Sequence, residues 1–500
     1  MKILKLLFLL SVSAAAAWGG IFADLVKIDG EKVLQNGDGS NVKATVKLPK
    51  TKVLSFASIV VLGEIENAGA NSSVSLTASI DGKEAAAKTL LPRNGKMGAV
   101  FVATFPIREA MRKCRESAEI KIEMRGSGQA RFKVQKVGIK AAVDTKYFRN
   151  VSYLRPIFSG DEMTMESVFP LGCEDASKPA KAKLLFAPTE ILEAYTLASG
   201  KKVDLQKGKD FKISGDTIEF LPDSNIEIVP YKRMFAKTKE ELLPYCKPFY
   251  FAQIKKYAFF TEGSWFHEHM VYISYKHAAT NKKAGEKFDG EKLPRTLKFF
   301  KNKKPLKISL YGDSIASGAN ASGLTMTMPY APSWGNFIAQ EISKYYKIPV
   351  VFLNRALGGT TSAWGAREAE SLVSPDKPDL AIIAFGMNDR IAPEEYGKNI
   401  ASIMEKIKKA NPAAEFILVA PMSANPGWHH FEMHDGYVGA LKKLEREGVA
   451  AADVRSVHKL LLGKKRFIDM TGNNVNHPND FMIRVYAQTI LQKLIPAMSK

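Results

Sequence analysis

Two hydrophobic rhythms divide this 500-residue chain. In its first half, short runs alternate apolar and polar positions and stop at glycine turns, the period-two signature of half-buried strands. Val74 to Ile80 leads through Asp81-Gly82 into a second extended segment, which predicts a hairpin. Ile120–Arg125 and Ala130–Val137, joined by Gly126-Ser127-Gly128, predict another. Residues 24–144 therefore read as a β-sandwich of jelly-roll type, and residues 145–293 as a second β-rich domain. The clearest features of the latter are a hairpin over Phe211–Phe220 and a strand from Met270 to Tyr275. A lysine-rich stretch, Ala279–Lys304, reads as a linker.

From residue 305 the rhythm changes. Apolar strands at 306–311, 349–353, 379–385, 415–420 and 449–453 alternate with helical patterns near 333–345, 362–373, 395–409 and 435–446, with a last helix near 481–494. Such alternation predicts an α/β domain over 305–500, a parallel sheet covered by helices on both faces and open to ligands along its carboxyl edge.

Composition narrows the partners. Residues 1–23 begin with Met1-Lys2-Ile3-Leu4-Lys5, continue through an apolar run to Val12 and end in small residues, as a cleavable secretory signal peptide does. The mature chain is expected to be secreted or periplasmic. No later run reaches the roughly 18 apolar residues of a membrane span. The net charge of +21 suggests nucleic acid, but it is spread evenly: 47 Lys+Arg against 33 Asp+Glu over residues 1–300, and 25 against 18 over 301–500. With no basic stripe interleaved with aromatics, nucleic acid is not an expected partner, and weak attraction to acidic polysaccharide is the simpler reading. Cys173 and Cys246 could pair in an oxidising compartment, which would leave Cys114 as a buried thiol.

Four blocks carry candidate chemistry. Leu310-Tyr-Gly-Asp-Ser314 ends a buried strand on a serine, and Gly312 permits a sharp turn there. Asn354-Arg-Ala-Leu-Gly358-Gly359-Thr-Thr361 follows the next strand and can expose backbone N–H groups. Phe385-Gly-Met-Asn388-Asp389 closes a third strand on an amide donor. Asn474-Val-Asn-His477-Pro478 precedes the last helix. In this order the blocks resemble the SGNH (GDSL-type) hydrolases over about residues 305–500.

The resemblance implies a flavodoxin-like three-layer α/β/α domain with Ser314 as nucleophile and His477 as general base. It implies an oxyanion hole of the Ser314 N–H, Gly359 (with Gly358 a close competitor) and Asn388, and it requires no metal or cofactor. The family carries an Asp three residues before the His, where this chain has Asn474, so the orienter of His477 is expected to be a carbonyl oxygen, either a loop backbone group or the Asn474 side chain. Asp313 is expected to hold the turn by bonding backbone N–H groups. His430 and His434 stand four apart in the loop Pro421–His434, but the acidic residue of a His-Glu-x-x-His pattern is missing. Trp364 and Trp428 are candidate sugar platforms. Export, two β-rich modules and aromatic loops point to an esterase that removes small acyl groups, acetyl above all, from polysaccharide or oligosaccharide. A lipid or aryl esterase, or a non-catalytic carbohydrate-binding protein, remains open.

Overall fold

The computed structural model describes eight strands between residues 26 and 142, with the Asp81-Gly82 turn, and residues 153–499 apart from 155–156, 199, 244–245, 282–287, 289, 326 and 429–431. The leader expected over residues 1–23 and Cys114 lie outside the described residues. The chain forms two compact units, Met1–Asp144 and Thr145–Lys500.

The first unit contains β1 (Val26–Gln35), β2 (Asn41–Lys47), β3 (Phe56–Glu66), β4 (Val74–Ile80), β5 (Lys83–Leu90), β6 (Met97–Thr104), β7 (Ser117–Gly126) and β8 (Arg131–Ala142). They build two four-stranded antiparallel sheets, ordered β1-β8-β3-β6 and β2-β7-β4-β5, which is the strand order of a jelly roll. Alternate residues such as Val42, Ala44 and Val46, or Ile120, Ile122 and Met124, are buried while their neighbours face outward. The β4–β5 hairpin forms as expected, with Asp81 and Gly82 both at positive φ. The second expected hairpin does not form: β7 pairs with β2 and β4, whereas β8 pairs with β1 and β3. Alternation fixes which residues of a strand face the core, but a strand that crosses to the opposite sheet carries the same alternation as one that folds back.

In the second unit, residues 153–281 build antiparallel sheets. The largest orders Lys201–Asp204, Pro188–Ala198, Val271–Asn281 and Ser159–Val168. The 211–220 hairpin forms between Phe211–Ser214 and Thr217–Phe220. A small sheet of Phe235–Ala236, Lys256–Ala258 and Phe249–Phe251 leads into the turn of the short helix Trp265–Glu268. The stretch expected as a linker is not one throughout. Pro294–Lys301 is a helix whose Phe300 stacks on Tyr346 at 3.9 Å, and the Arg295 and Thr296 N–H groups at its start donate to the Glu415 carboxylate. Its spaced apolar residues Leu297 and Phe300 outweigh the neighbouring Lys298 and Lys301. Cys173 and Cys246 are free thiols, not a disulfide; the Cys173 thiol donates to the Pro179 carbonyl at 3.3 Å.

The α/β domain is as the pattern predicts. Val350–Asn354, Leu306–Gly312, Leu380–Ala384, Glu415–Ala420 and Val449–Asp453 form one parallel sheet in that order, with the first strand in sequence second from the edge, the flavodoxin-like arrangement. Its central strands are buried on both faces, which explains their unbroken apolar runs. An unexpected helix, Val454–Leu462, begins at Asp453, whose carboxylate caps the Ser456 N–H. The β-rich region and the α/β domain share one core: Val168, Phe169 and Phe266 belong to the same apolar cluster as Trp334 and Ile483. Polar contacts lock them as well, with Phe169 N–H donating to Asp469 at 2.8 Å and Tyr153 donating to the Asp480 carbonyl at 2.8 Å. Lys465 and Glu166 form a fully buried ion pair across the same boundary.

Candidate active site

The Leu306–Gly312 strand delivers Ser314 to the first turn of the short helix Ser314–Ser317. A Cβ at Gly312 would lie 2.1 Å from the Ala384 carbonyl oxygen, so only glycine lets two strands and their loops close together here. Asp313 is buried beneath the serine. Its carboxylate accepts from the N–H groups of Ile315 at 3.0 Å and Met387 at 3.3 Å, the turn-holding role expected of it. Burial pushes its carboxyl up to about 7, against the lowering effect of those bonds.

His477 reaches Ser314 from the loop before the last helix, and the two are only 8% and 7% exposed. The Ser314 Oγ to His477 Nε2 distance is 2.9 Å. On its other side, His477 Nδ1 lies 2.7 Å from Asn320 Oδ1 and 3.1 Å from Glu262 Oε2. The Asn320 amide is oriented by its own donors, Nδ2 giving bonds to the carbonyls of Gly472 at 2.9 Å and Gly263 at 3.4 Å, so its oxygen faces the ring. Two acceptors at Nδ1 require the proton there, which leaves Nε2 free to accept from the serine hydroxyl.

Asn474 does not hold the imidazole, contrary to expectation. It is fully buried at positive φ; its Nδ2 donates to the Phe259 carbonyl at 3.0 Å, and its Oδ1 accepts from Asn425 at 3.2 Å. The left-handed backbone turns this side chain away from the ring it was expected to serve. Asn473 shapes the loop instead, its Oδ1 accepting from the N–H groups of Val475, Asn476 and His477, each at 3.0 Å, while its Nδ2 donates to Glu262 Oε1 at 3.1 Å. The last helix is capped by Asn479, which accepts from Met482 N–H, while the neighbouring Asp480 accepts from Ser322 N–H at 3.0 Å.

Two further loops stand beside the serine. A Cβ at Gly358 would be 3.6 Å from Ser314 Cβ, so this glycine lies against the serine, and Gly359 beside it turns the chain at φ +78. Asn388 donates to the Thr360 carbonyl at 2.9 Å, which ties its amide to this turn. Next to it, the Asp389 carboxylate accepts from Ser362 N–H and hydroxyl and clamps the two loops together. An amide has two N–H bonds, so one donation to Thr360 leaves the other for a ligand.

The remaining candidates part ways. Trp364 is 9% exposed and packs against Tyr311 inside the helix layer, so it offers no face to a sugar. Trp428 is half-buried, edge-on to Phe249 at 6.0 Å, on the loop whose Asn425 N–H donates to the Val475 carbonyl beside His477. His434 is buried, its Nε2 2.8 Å from the Asp389 carbonyl oxygen, and burial lowers its imidazole to about 4; His430 lies outside the described residues. Sequence reasoning missed Glu262 and Asn320. Asn320 lies in the stretch directly after the Ser314 block, which a serine motif brings to notice, whereas nothing local marks Glu262.

Residues 310–482 match the model of the GDSL-like lipase/acylhydrolase family. The chain is 28% identical over 138 residues to the esterase TesA of Pseudomonas aeruginosa, a stretch covering 27% of this chain and 64% of that protein. It is 27% identical over 129 residues to a GDSL esterase/lipase of Arabidopsis thaliana, covering 23% of this chain and 48% of that one. The match thus spans between about half and two thirds of these relatives. Among solved structures, a two-domain esterase active on acetylated mannans aligns at 21% identity and TM-score 0.35, over 42% of this chain and 53% of its own. Axe2, an acetylxylan esterase of Geobacillus stearothermophilus, aligns at 16% identity and TM-score 0.32, over 38% of this chain and 94% of its own. Among the described residues no helix is long and apolar enough to cross a membrane.

Proposed function

We propose that this chain, whose residues 310–482 match the GDSL-like lipase/acylhydrolase family, is a serine esterase in which Ser314 attacks an ester carbonyl and His477 moves the proton. The observation that carries this reading is the 2.9 Å contact between Ser314 Oγ and a His477 Nε2 left free to accept. As Oγ bonds the carbonyl carbon, Nε2 takes the hydroxyl proton and the carbonyl oxygen becomes an oxyanion. When that intermediate collapses, the carbon–alkoxide bond breaks and His477 returns the proton to the departing alcohol. Water then repeats the sequence on the acyl-serine, releasing the acid and restoring the hydroxyl. The N–H groups of Ser314 and Gly359 and the free Asn388 N–H are the donors for the oxyanion.

For substrate we propose small O-acyl groups, acetyl foremost, on polysaccharide outside the cytoplasm. The leader-like start, the jelly-roll unit and the half-buried Trp428 beside the His477 loop support this reading. Acetate release from acetylated xylan, mannan and pectin, set against hydrolysis of short- and long-chain aryl esters, tests it; a preference for long acyl chains would move the protein to the lipid esterases. Ser314→Ala should abolish hydrolysis without loss of fold, and a serine-directed organophosphonate should label the wild type once, at Ser314. Near-full activity in that variant would sink the mechanism.

A further inference from the structure

We propose that Glu262, which the β-rich region supplies, is the carboxylate that positions His477, with Asn320 as its neutral partner. The proposal rests on the Ser314–His477 reading above. The family-matched segment begins at residue 310, and its loop carries Asn474 where an acidic residue is expected, so the matched segment holds no carboxylate of its own at that position.

The geometry shows how the place is filled. His477 Nδ1 meets both Asn320 Oδ1 at 2.7 Å and Glu262 Oε2 at 3.1 Å. The amide oxygen fixes the tautomer, but it carries no charge. Of the two groups at Nδ1, Glu262 is the one that can form an ion pair when the ring takes up the serine proton. Its second oxygen is held by Asn473, whose own oxygen binds three successive N–H groups of the His477 loop, so carboxylate and loop are fastened through one side chain. Desolvation pushes the Glu262 carboxyl up, yet hydrogen bonds from His477 and Asn473 and the attraction of the imidazole hold it below the ordinary carboxylate range, so it is ionised near neutral pH. The other nearby acid, Asp313, is committed to backbone N–H groups beneath the serine. Asn320 is braced from the same β-rich segment: His267 Nε2 lies 2.7 Å from the Asn320 carbonyl oxygen, and Gly263 takes a bond from its amide. A segment only eight residues long, Glu262–His269, therefore supports both groups that face Nδ1.

Glu262 acts as a positioning residue, and its side chain is 50% exposed. Solvent screening moderates its effect, and Asn320 still holds the ring when the charge is gone. In the full chain, Glu262→Gln should lower kcat about ten- to a hundredfold, the worth of one charge-assisted bond. KM should stay within about twofold, because the group does not touch substrate, and the melting temperature should be unchanged. Adding Asn320→Ala should bring the loss toward the roughly ten-thousandfold seen when an orienting group fails. The half-exposed position leaves room for chemical rescue, so Glu262→Ala should regain activity with added formate while Ser314→Ala should not. Wild-type kcat in Glu262→Gln beside an inactive Ser314→Ala would overturn the proposal and leave the serine mechanism standing. Failure of formate to restore Glu262→Ala, or a kcat loss that follows a fall in melting temperature, would also overturn it, since either marks a structural role. An active Ser314→Ala would remove the mechanism itself.

Discussion

The residue at 474 offers a sharp test, because family pattern and structure disagree about what an acid there would do. If Asn474 occupied the orienter's place, Asn474→Asp should repair a triad and raise activity. The structure predicts damage. The Asn474 side chain is fully buried and its Nδ2 donates to the Phe259 carbonyl, so the substitution sets a carboxylate oxygen about where that donor was, facing another oxygen 3.0 Å away. The new acid can restore the bond only by becoming protonated and donating in its turn. Holding an ordinary aspartic acid protonated at pH 7 costs about 4 kcal/mol, from three pH units at about 1.4 kcal/mol each, which bounds the loss. A carboxyl whose folded pKa is raised contributes its full stability below the unfolded value, near pH 4, and loses it as pH rises toward the folded value. The deficit of Asn474→Asp relative to wild type should therefore be small near pH 4 and grow by about 1.4 kcal/mol per pH unit toward neutrality. Urea unfolding of both proteins from pH 4.5 to 7.5 reads this directly, with kcat followed in parallel. A variant as stable as wild type at pH 7 and equally or more active would refute the reasoning and return 474 to the site.

Two further outcomes follow from the same geometry. Asn388→Ala should lower kcat about a hundred- to a thousandfold with little change in KM, as loss of one oxyanion donor does, while the melting temperature shifts little; equal effects on both kinetic constants would place Asn388 in substrate binding instead. Burial lowers His434 to about 4, so this side chain stabilises the fold above about pH 6.5 and that stability is lost as pH falls toward 4. Asp313, raised to about 7, acts in the opposite sense, so the readable quantity is a difference: the stability of wild type over His434→Gln should shrink by about 1.4 kcal/mol per pH unit across that window, and a constant difference would refute it.

Much of the fold was legible because local pattern and global packing agree in it. The five parallel strands read as apolar runs because both faces are covered, and their carboxyl ends carry the Ser314, Gly359 and Asn388 blocks because a doubly wound sheet opens there. The helix Val454–Leu462 was overlooked although Val454, Val457, His458 and Leu461 mark one buried face at helical spacing. The pairing of β7 and β8 was not legible at all, since a strand's alternation does not name the sheet it joins.

The support of His477 was illegible for a different reason. A motif records groups that are near in sequence, and a carboxylate three residues before the histidine is such a group. Glu262 stands 215 residues from His477, in a turn with no apolar rhythm or motif to mark it. What makes it reachable is the shared core that fuses the β-rich region to the α/β domain, from Val168 and Phe266 through to Trp334 and Ile483. Once that core is fixed, the Glu262 turn is carried to the carboxyl edge of the sheet at no extra cost in chain order, and the acid of the His477 loop becomes dispensable. Asn474 is then released to a packing role that an amide fills and a carboxylate cannot: it must donate to Phe259 and accept from Asn425 inside the protein. The departure from the family pattern at 474 and the presence of Glu262 at the ring are thus two sides of one arrangement, in which the region before the hydrolase domain is a structural part of the site.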